Sequence, residues 1–159
     1  MIEVREGNVV EALLLGEIDY LVHCTNSRGK YASGVAGEIR KRIPEAYTAY
    51  MNQCSQWINH GNKHIPLGDL SSAKGVINLC GQLNYGYDKK RYVNYGAVAS
   101  GFCDLFCYLQ DIDSRQSRNI KIGLPLIGCG LAGGEETIMM ELIEHCLGGI
   151  YKSVTVYKL

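Results

Sequence analysis

The chain has no excess of charge. Its 159 residues carry 16 Lys and Arg against 16 Asp and Glu, a balance that favours neither nucleic acid nor an acidic membrane as partner. No apolar run approaches the length of a membrane span. The opening Met1-Ile2-Glu3-Val4-Arg5 lacks the basic-then-apolar order of a secretory signal, so a cytoplasmic setting is expected. The seven cysteines include no C-x-x-C pair, and with the four histidines they show no metal-ligand spacing. Reduced thiols and no zinc follow. There is no internal repeat, low-complexity tract or linker, and the length suits one domain, 1–159, with a good-sized core.

What the chain does have is glycine, most densely in Leu124-Pro125-Leu126-Ile127-Gly128-Cys129-Gly130-Leu131-Ala132-Gly133-Gly134. This run follows an apolar segment and precedes a helical pattern starting near Glu135. Glycines between a strand and a helix let backbone approach a ligand and leave N–H groups free for an anion. Gly128 to Gly133 spells G-x-G-x-x-G, but too late for a Rossmann unit: one helix and one strand remain, and Ser153 to Leu159 holds no acidic residue. No Gly-Lys-Ser/Thr closes the run, which excludes a P-loop, and no Arg follows Cys129 within the loop, which argues against a cysteine phosphatase.

Elsewhere strand and helix patterns alternate. Short strands are expected at Ile2–Arg5, Asp19–Cys24, Gly75–Cys80, Ile120–Leu126 and Val154–Tyr157. Helices are expected at Val9–Leu15, Val35–Arg42, from Pro44 to about Gln56, through Val98, Phe102, Leu105, Phe106 and Leu109, and from Glu135 with an inner face of Ile138, Leu142, Ile143 and Cys146. Trp57 to Gly68 reads as irregular. The alternation predicts an α/β fold, a three-layer α/β/α sandwich with a mixed, largely parallel central sheet. In such sheets ligands bind beyond the carboxyl ends of the strands. Three loops leave strands there: Thr25 to Gly34, Gly81 to Tyr92, and Gly128 to Gly134. In the first, Asn26 is placed to bond a sugar hydroxyl, Arg28 and Lys30 read as solvated charges, and His23 is either a core histidine or a site residue. In the second, Tyr and Asn residues would frame a sugar or base, or simply pack.

These residues resemble the macrodomain family, which binds ADP-ribose. Val22-His23-Cys24-Thr25-Asn26 followed by Ser33-Gly34-Val35-Ala36 is similar to the family's first ligand loop. The Leu124 to Gly134 run is similar to its second, which wraps the diphosphate. The resemblance spans essentially the whole chain. It is closest to the branch of ADP-ribose 1″-phosphate phosphatases and the terminal ADP-ribose protein glycohydrolase, on Ile127 to Leu131, His23, and the stretch from Gln82 to Gly96. It implies Asn8, Asn26, Ser33, Gly34, Val35, Gly128, Cys129, Gly130, Leu131, Ala132 and Gly133 as ligand-binding residues. It also implies ADP-ribose or a derivative as small-molecule partner, or an ADP-ribosylated macromolecule, with no cofactor and no metal. The setting would be a bacterial cytoplasm, or a host cell's if the chain is phage-encoded.

The chain departs from that family at informative positions. The adenine-reading Asp of the family aligns with Asn8, whose carbonyl would accept from the adenine amino group. The glycohydrolase's catalytic Asp falls at Ala132 and its Lys near Cys80 or Gly81, which argues against a lysyl adduct. The chemistry expected is therefore hydrolysis of ADP-ribose 1″-phosphate, with His23 and Glu135 as general acid and base and loop N–H groups neutralising developing charge. The alternatives are a non-catalytic ADP-ribose reader and a hydrolase of ADP-ribosyl or O-acetyl-ADP-ribose groups. Cys129 as nucleophile lacks a base or Arg partner.

Overall fold

A computed structural model describes residues 2–61, 64–88, 90–127, 129 and 132–159. Six strands, β1 (Ile2–Glu6), β2 (Tyr20–Asn26), β3 (Leu70–Ala73), β4 (Val76–Gln82), β5 (Lys121–Pro125) and β6 (Ser153–Lys158), form one sheet in the order β1-β6-β5-β2-β4-β3. All neighbours are parallel except β3 against β4. The helices are α1 (Val9–Leu14), α2 (Gly34–Arg42), α3 (Pro44–Asn59), α4 (Tyr95–Ile112) and α5 (Glu136–Leu147). The α/β/α sandwich expected from the alternation is what forms. Among the described residues no helix is long and apolar enough to cross a membrane.

Each inner strand is apolar on both faces because each face meets helices. Val22 of β2 and Leu79 of β4 share a core with Val98, Phe102, Leu105 and Leu109 of α4 and with Met139, Ile143 and Leu147 of α5. Leu21, one residue along β2, faces the opposite core, with Val10 of α1, Ile39 of α2 and Ala46 and Tyr50 of α3. Full burial of an aromatic such as Phe102 is worth about 1.5–3 kcal/mol.

The structure differs from the sequence pattern in four places. α3 runs on through Trp57 to Asn59, into the stretch expected to be irregular. β3 was not expected: its Leu-Ser-Ser-Ala sequence is half-buried throughout and carries little apolar signal, because it is an antiparallel edge. On α4, Phe106 is exposed, and Ala97 and Gly101 take places against the sheet. On α5 the inward stripe is Met139, Ile143 and Leu147, with Ile138 exposed. The helix is rotated by about one residue from the expected face.

β2 pairs with β5 only at Tyr20↔Ile122 and Leu21↔Gly123. Beyond them the two strands part from each other, β2 staying paired with β4 as far as Asn26 and β5 with β6 as far as Pro125. The chain leaves β2 towards β4 on one side and leaves β5 towards β6 on the other. This reversal makes a crevice at the carboxyl edge of the sheet, where doubly wound sheets bind ligands.

α4 lies close on β4 at Gly101, where a Cβ would come within 2.5 Å of Leu79 Cγ. Leu79 is fully buried and has no free direction to move. Gly101→Ala should therefore lower stability by about 1–3 kcal/mol through overpacking, despite the better helix propensity of alanine. Urea unfolding followed by far-UV circular dichroism would read this as a lower midpoint with an unchanged slope.

Candidate functional site

The crevice deepens into a cleft with two connected lobes. The larger, of about 460 Å³, is bounded by the end of β2 (Cys24, Thr25, Asn26), Lys30 and Tyr31, the start of α2 (Ser33 to Ala36), Gln82, Tyr85 and Tyr87, and Ile127 and Ala132 of the glycine loop. The smaller, of about 380 Å³, lies beyond the ends of β1 and β6, against Asn8, Cys129 and Tyr157. Val35, Glu38, Pro125 and Leu126 line both lobes.

Asn26 builds the floor of the first loop. Its Oδ1 accepts from the N–H groups of Arg28 (2.9 Å) and Lys30 (3.3 Å), and its Nδ2 donates to the Lys30 carbonyl at 2.7 Å. The Tyr50 hydroxyl donates to the Asn26 carbonyl. Asn26 lines the cleft as expected, but its side chain chiefly holds the turn that presents Lys30. Arg28 is the solvated charge foreseen, bonded to Asn84 Oδ1 at 2.9 Å. Lys30 is not: it is half-buried in the cleft wall, with Nζ 4.7 Å from the Tyr85 ring centre and 5.1 Å from that of Tyr87. The Tyr87 hydroxyl meets Ser33 Oγ at 3.0 Å. The loops after β2 and β4 thus meet across the mouth of the larger lobe.

Ser33 is the N-cap residue of α2, yet its side chain makes no capping bond. The first N–H groups of α2 therefore line the cleft without a side-chain partner, the condition under which a helix start holds an anion. Thr25 adds an independent sign. It is 3 % exposed, it lines the cleft, and its Oγ1 has no hydrogen-bond partner. A buried hydroxyl left unsatisfied is unusual in a protein, and Thr25 is the one of three unpartnered buried side-chain polar groups among the described residues that belongs to the cleft lining.

Of the glycine loop, Gly128, Gly130 and Leu131 lie outside the described residues. Its end is anchored: the Ala132 carbonyl accepts from Tyr92 N at 2.6 Å and Val93 N at 3.1 Å. Gly133 has φ +71°, and a Cβ there would meet the Lys90 carbonyl at 2.5 Å, so this position takes only glycine. Ala132 lines the larger lobe, while Cys129 lines the smaller. Burial raises the pKa of the Cys129 thiol, with the nearby Glu136 carboxylate acting the same way, the opposite of what a nucleophile needs.

The two residues expected to carry acid–base chemistry do not line the cleft. His23 points into the core shared by α1, α2 and α3. Its Nε2 lies 2.6 Å from Asn78 Oδ1 and 3.0 Å from the Tyr31 hydroxyl, with Tyr31 edge-on to its ring. Asn78 is itself fully buried, donating to the Ala46 carbonyl and Ser71 Oγ. His23 thus reaches the cleft only through Tyr31, which lines it. Residues on β2 alternate between faces, so Cys24 and His23 cannot both face the same side. Glu135 is exposed ahead of α5. Its backbone N–H donates to the Tyr95 hydroxyl at 2.8 Å, and its side chain caps nothing.

Asn8 does stand in the smaller lobe, but its acceptor is occupied. Oδ1 caps α1 by accepting from Val10 N and Glu11 N, and Nδ2 donates to both Glu38 oxygens at 3.0 and 2.9 Å. Glu38 went unnoticed in the sequence. The signal for it was its place one helical turn after Gly34, on the face that Gly34 presents to the cleft.

Parallel strands ending at a cleft beside an uncapped helix start define an α/β/α sandwich with its pocket at the switch point of the sheet. The Macro domain family profile matches residues 22–143, and the chain belongs to that family. It is 26% identical over 149 residues to the DNA ADP-ribosyl glycohydrolase of Thermus aquaticus, spanning 92% of this chain but only 38% of that protein's length. Its fold is shared with the macrodomain of Thermus aquaticus DarG (TM-score 0.74, 23% identity, 100% of this chain and 99% of that one). It is also shared with Thermosipho africanus DarTG, solved in complex with ADP-ribose (TM-score 0.74, 16% identity, 98% of this chain and 41% of that one).

Burial lowers the pKa of His23 from its ordinary 6.5 to about 4, and the Asn78 hydrogen bond offsets this only in part. The unfolded chain takes up this proton near the ordinary value and the folded one only near the lowered value. The His23 contribution is therefore complete above the ordinary value and is lost as the pH falls towards the lowered one. Lowering the pH from 7 to 5 should remove about 2 kcal/mol of stability through this residue. His23→Gln should flatten that part of the dependence, read as the difference in urea unfolding free energy at the two pH values. An equal fall in the variant would show that other groups cause it.

Proposed function

We propose that the cleft binds ADP-ribose and that the chain hydrolyses a bond at the terminal ribose to release it. The observation that carries this reading is the convergence, in one cleft, of the uncapped α2 start, the glycine loop and the unpartnered Thr25 hydroxyl. A diphosphate supplies the anion that the first two accept, and flanking sugars supply hydroxyls for the third. The fold shared with a protein solved with ADP-ribose supports the same ligand.

The first substrate we assign is ADP-ribose 1″-phosphate. Lys30 and Glu38 are the charged side chains among the described lining residues of the larger lobe, and Lys30 is the cation. Developing negative charge on a departing phosphate would be neutralised by Lys30 and by loop N–H groups. His23 would act through Tyr31, by fixing the ring that walls the cleft. The exposed Glu135 would contribute its charge at the start of α5. A second reading, release of ADP-ribose from DNA, rests on the named activity of the Thermus aquaticus relative. The balanced charge of this chain gives a polynucleotide no net electrostatic attraction.

Thr25→Val should leave the melting temperature unchanged or slightly higher, since it removes a buried hydroxyl with no partner. It should weaken ADP-ribose binding by roughly threefold to tenfold in calorimetry. No saturable binding by the wild type would sink the ADP-ribose reading.

Phosphate release from ADP-ribose 1″-phosphate, measured beside ADP-ribose release from an ADP-ribosylated oligonucleotide, tests the chemistry. The expected result is turnover of the 1″-phosphate, slowed roughly tenfold or more by Lys30→Gln with little change in ADP-ribose affinity. Turnover of the oligonucleotide alone would move the substrate to DNA. Binding without either reaction would make the chain a reader of ADP-ribose.

A further inference from the structure

We infer that Glu38 selects the base of the bound nucleotide, by accepting a hydrogen bond from an exocyclic amino group in the smaller lobe. The inference rests on the ADP-ribose reading for the presence of a nucleotide, and adds which residue discriminates its base.

The smaller lobe has an apolar side and a polar one. Val35, Pro125, Leu126 and Tyr157 supply the apolar surface, Asn8 and Glu38 the polar one, and Lys158, which is paired with Glu136, lies at its edge. Asn8 has no acceptor to offer, because its Oδ1 already takes two N–H groups at the start of α1. Its amide instead turns towards Glu38 and donates to both carboxylate oxygens. Arg42, one turn further along α2, approaches Glu38 Oε2 at 3.3 Å and is itself held by Glu11 at 2.7 Å. Glu38 is thus fixed from both sides and remains about 31% exposed at the seam between the lobes.

A carboxylate has about four acceptor directions, and these partners occupy three. The remaining direction can only accept. An amino-bearing heteroaromatic ring such as adenine meets that demand. A ring with a carbonyl at the same place would set lone pairs against lone pairs. Asn8 in this arrangement is a positioning residue: it ties α1 to α2 and orients the carboxylate.

The test compares binding of ADP-ribose with that of its hypoxanthine analogue, in which the amino group is replaced by a carbonyl. Calorimetry on the wild type should show a preference for ADP-ribose of roughly tenfold or more in Kd. Glu38→Gln presents both a donor and an acceptor and should bring the ratio close to one, while ADP-ribose itself still binds. Asn8→Ser keeps an N-cap oxygen for α1 but frees the carboxylate, and should reduce the preference with little change in melting temperature. A wild-type preference retained in Glu38→Gln would overturn the inference, as would an equal loss of affinity for both ligands, which marks a purely structural tie. Failure of the wild type to bind ADP-ribose would remove the nucleotide reading itself and the inference with it.

Discussion

The short pairing of β2 with β5 is the constraint on which the site depends. Two paired residues hold the centre of the sheet together, and the strands then run on without a ladder between them. Their free ends would cost unsatisfied backbone groups if they were covered by apolar side chains. Here they give way to loops and helix starts, which is why the cleft forms at this edge. β2 alone contributes three consecutive lining residues, Cys24, Thr25 and Asn26, at the point where the ladder is missing.

β2 also explains why a reading along the chain ranks site residues poorly. Val22-His23-Cys24-Thr25-Asn26 is one short run, but successive side chains belong to different places. Val22 faces the α4 and α5 core, and His23 faces the helices on the other side. Thr25 backs the cleft with a buried, unpartnered hydroxyl, and Asn26 turns back to tie down its own loop. The alternation was legible. Which face each side chain would find depended on partners far away in sequence, such as Asn78 for His23 and Tyr50 for Asn26. The same limit applies to β3, whose strand character comes from its neighbour rather than from its own residues.

The fold was legible because apolar periodicity reports burial directly, and a chain with strands buried on both faces has few ways to arrange them. The glycine loop was legible because its composition exceeds what a turn requires. Glu38 and Lys30 were not, since a charged residue on a short helix or in a polar loop carries no sign that it faces a ligand. Only the packing of α2 against α1, and of one loop against Tyr85 and Tyr87, turns those charges inward.

These charges differ from the buried polar cluster around His23 in what they hold in reserve. His23, Asn78 and Tyr31 are almost entirely enclosed and satisfy one another, so their hydrogen bonds rigidify the wall behind the cleft. Lys30 is half-buried against the rings of Tyr85 and Tyr87, and Glu38 keeps one acceptor direction open. The α2 start and Thr25 likewise keep donors unspent. A fold stabilised mainly by its two apolar cores can leave such groups unpaired at one edge, because their cost is small beside that of a cavity in either core. Along the cleft the chemistry has an order: Lys158 and the Glu38 carboxylate in the smaller lobe, then the uncapped N–H groups at the α2 start, then Lys30 in the larger lobe.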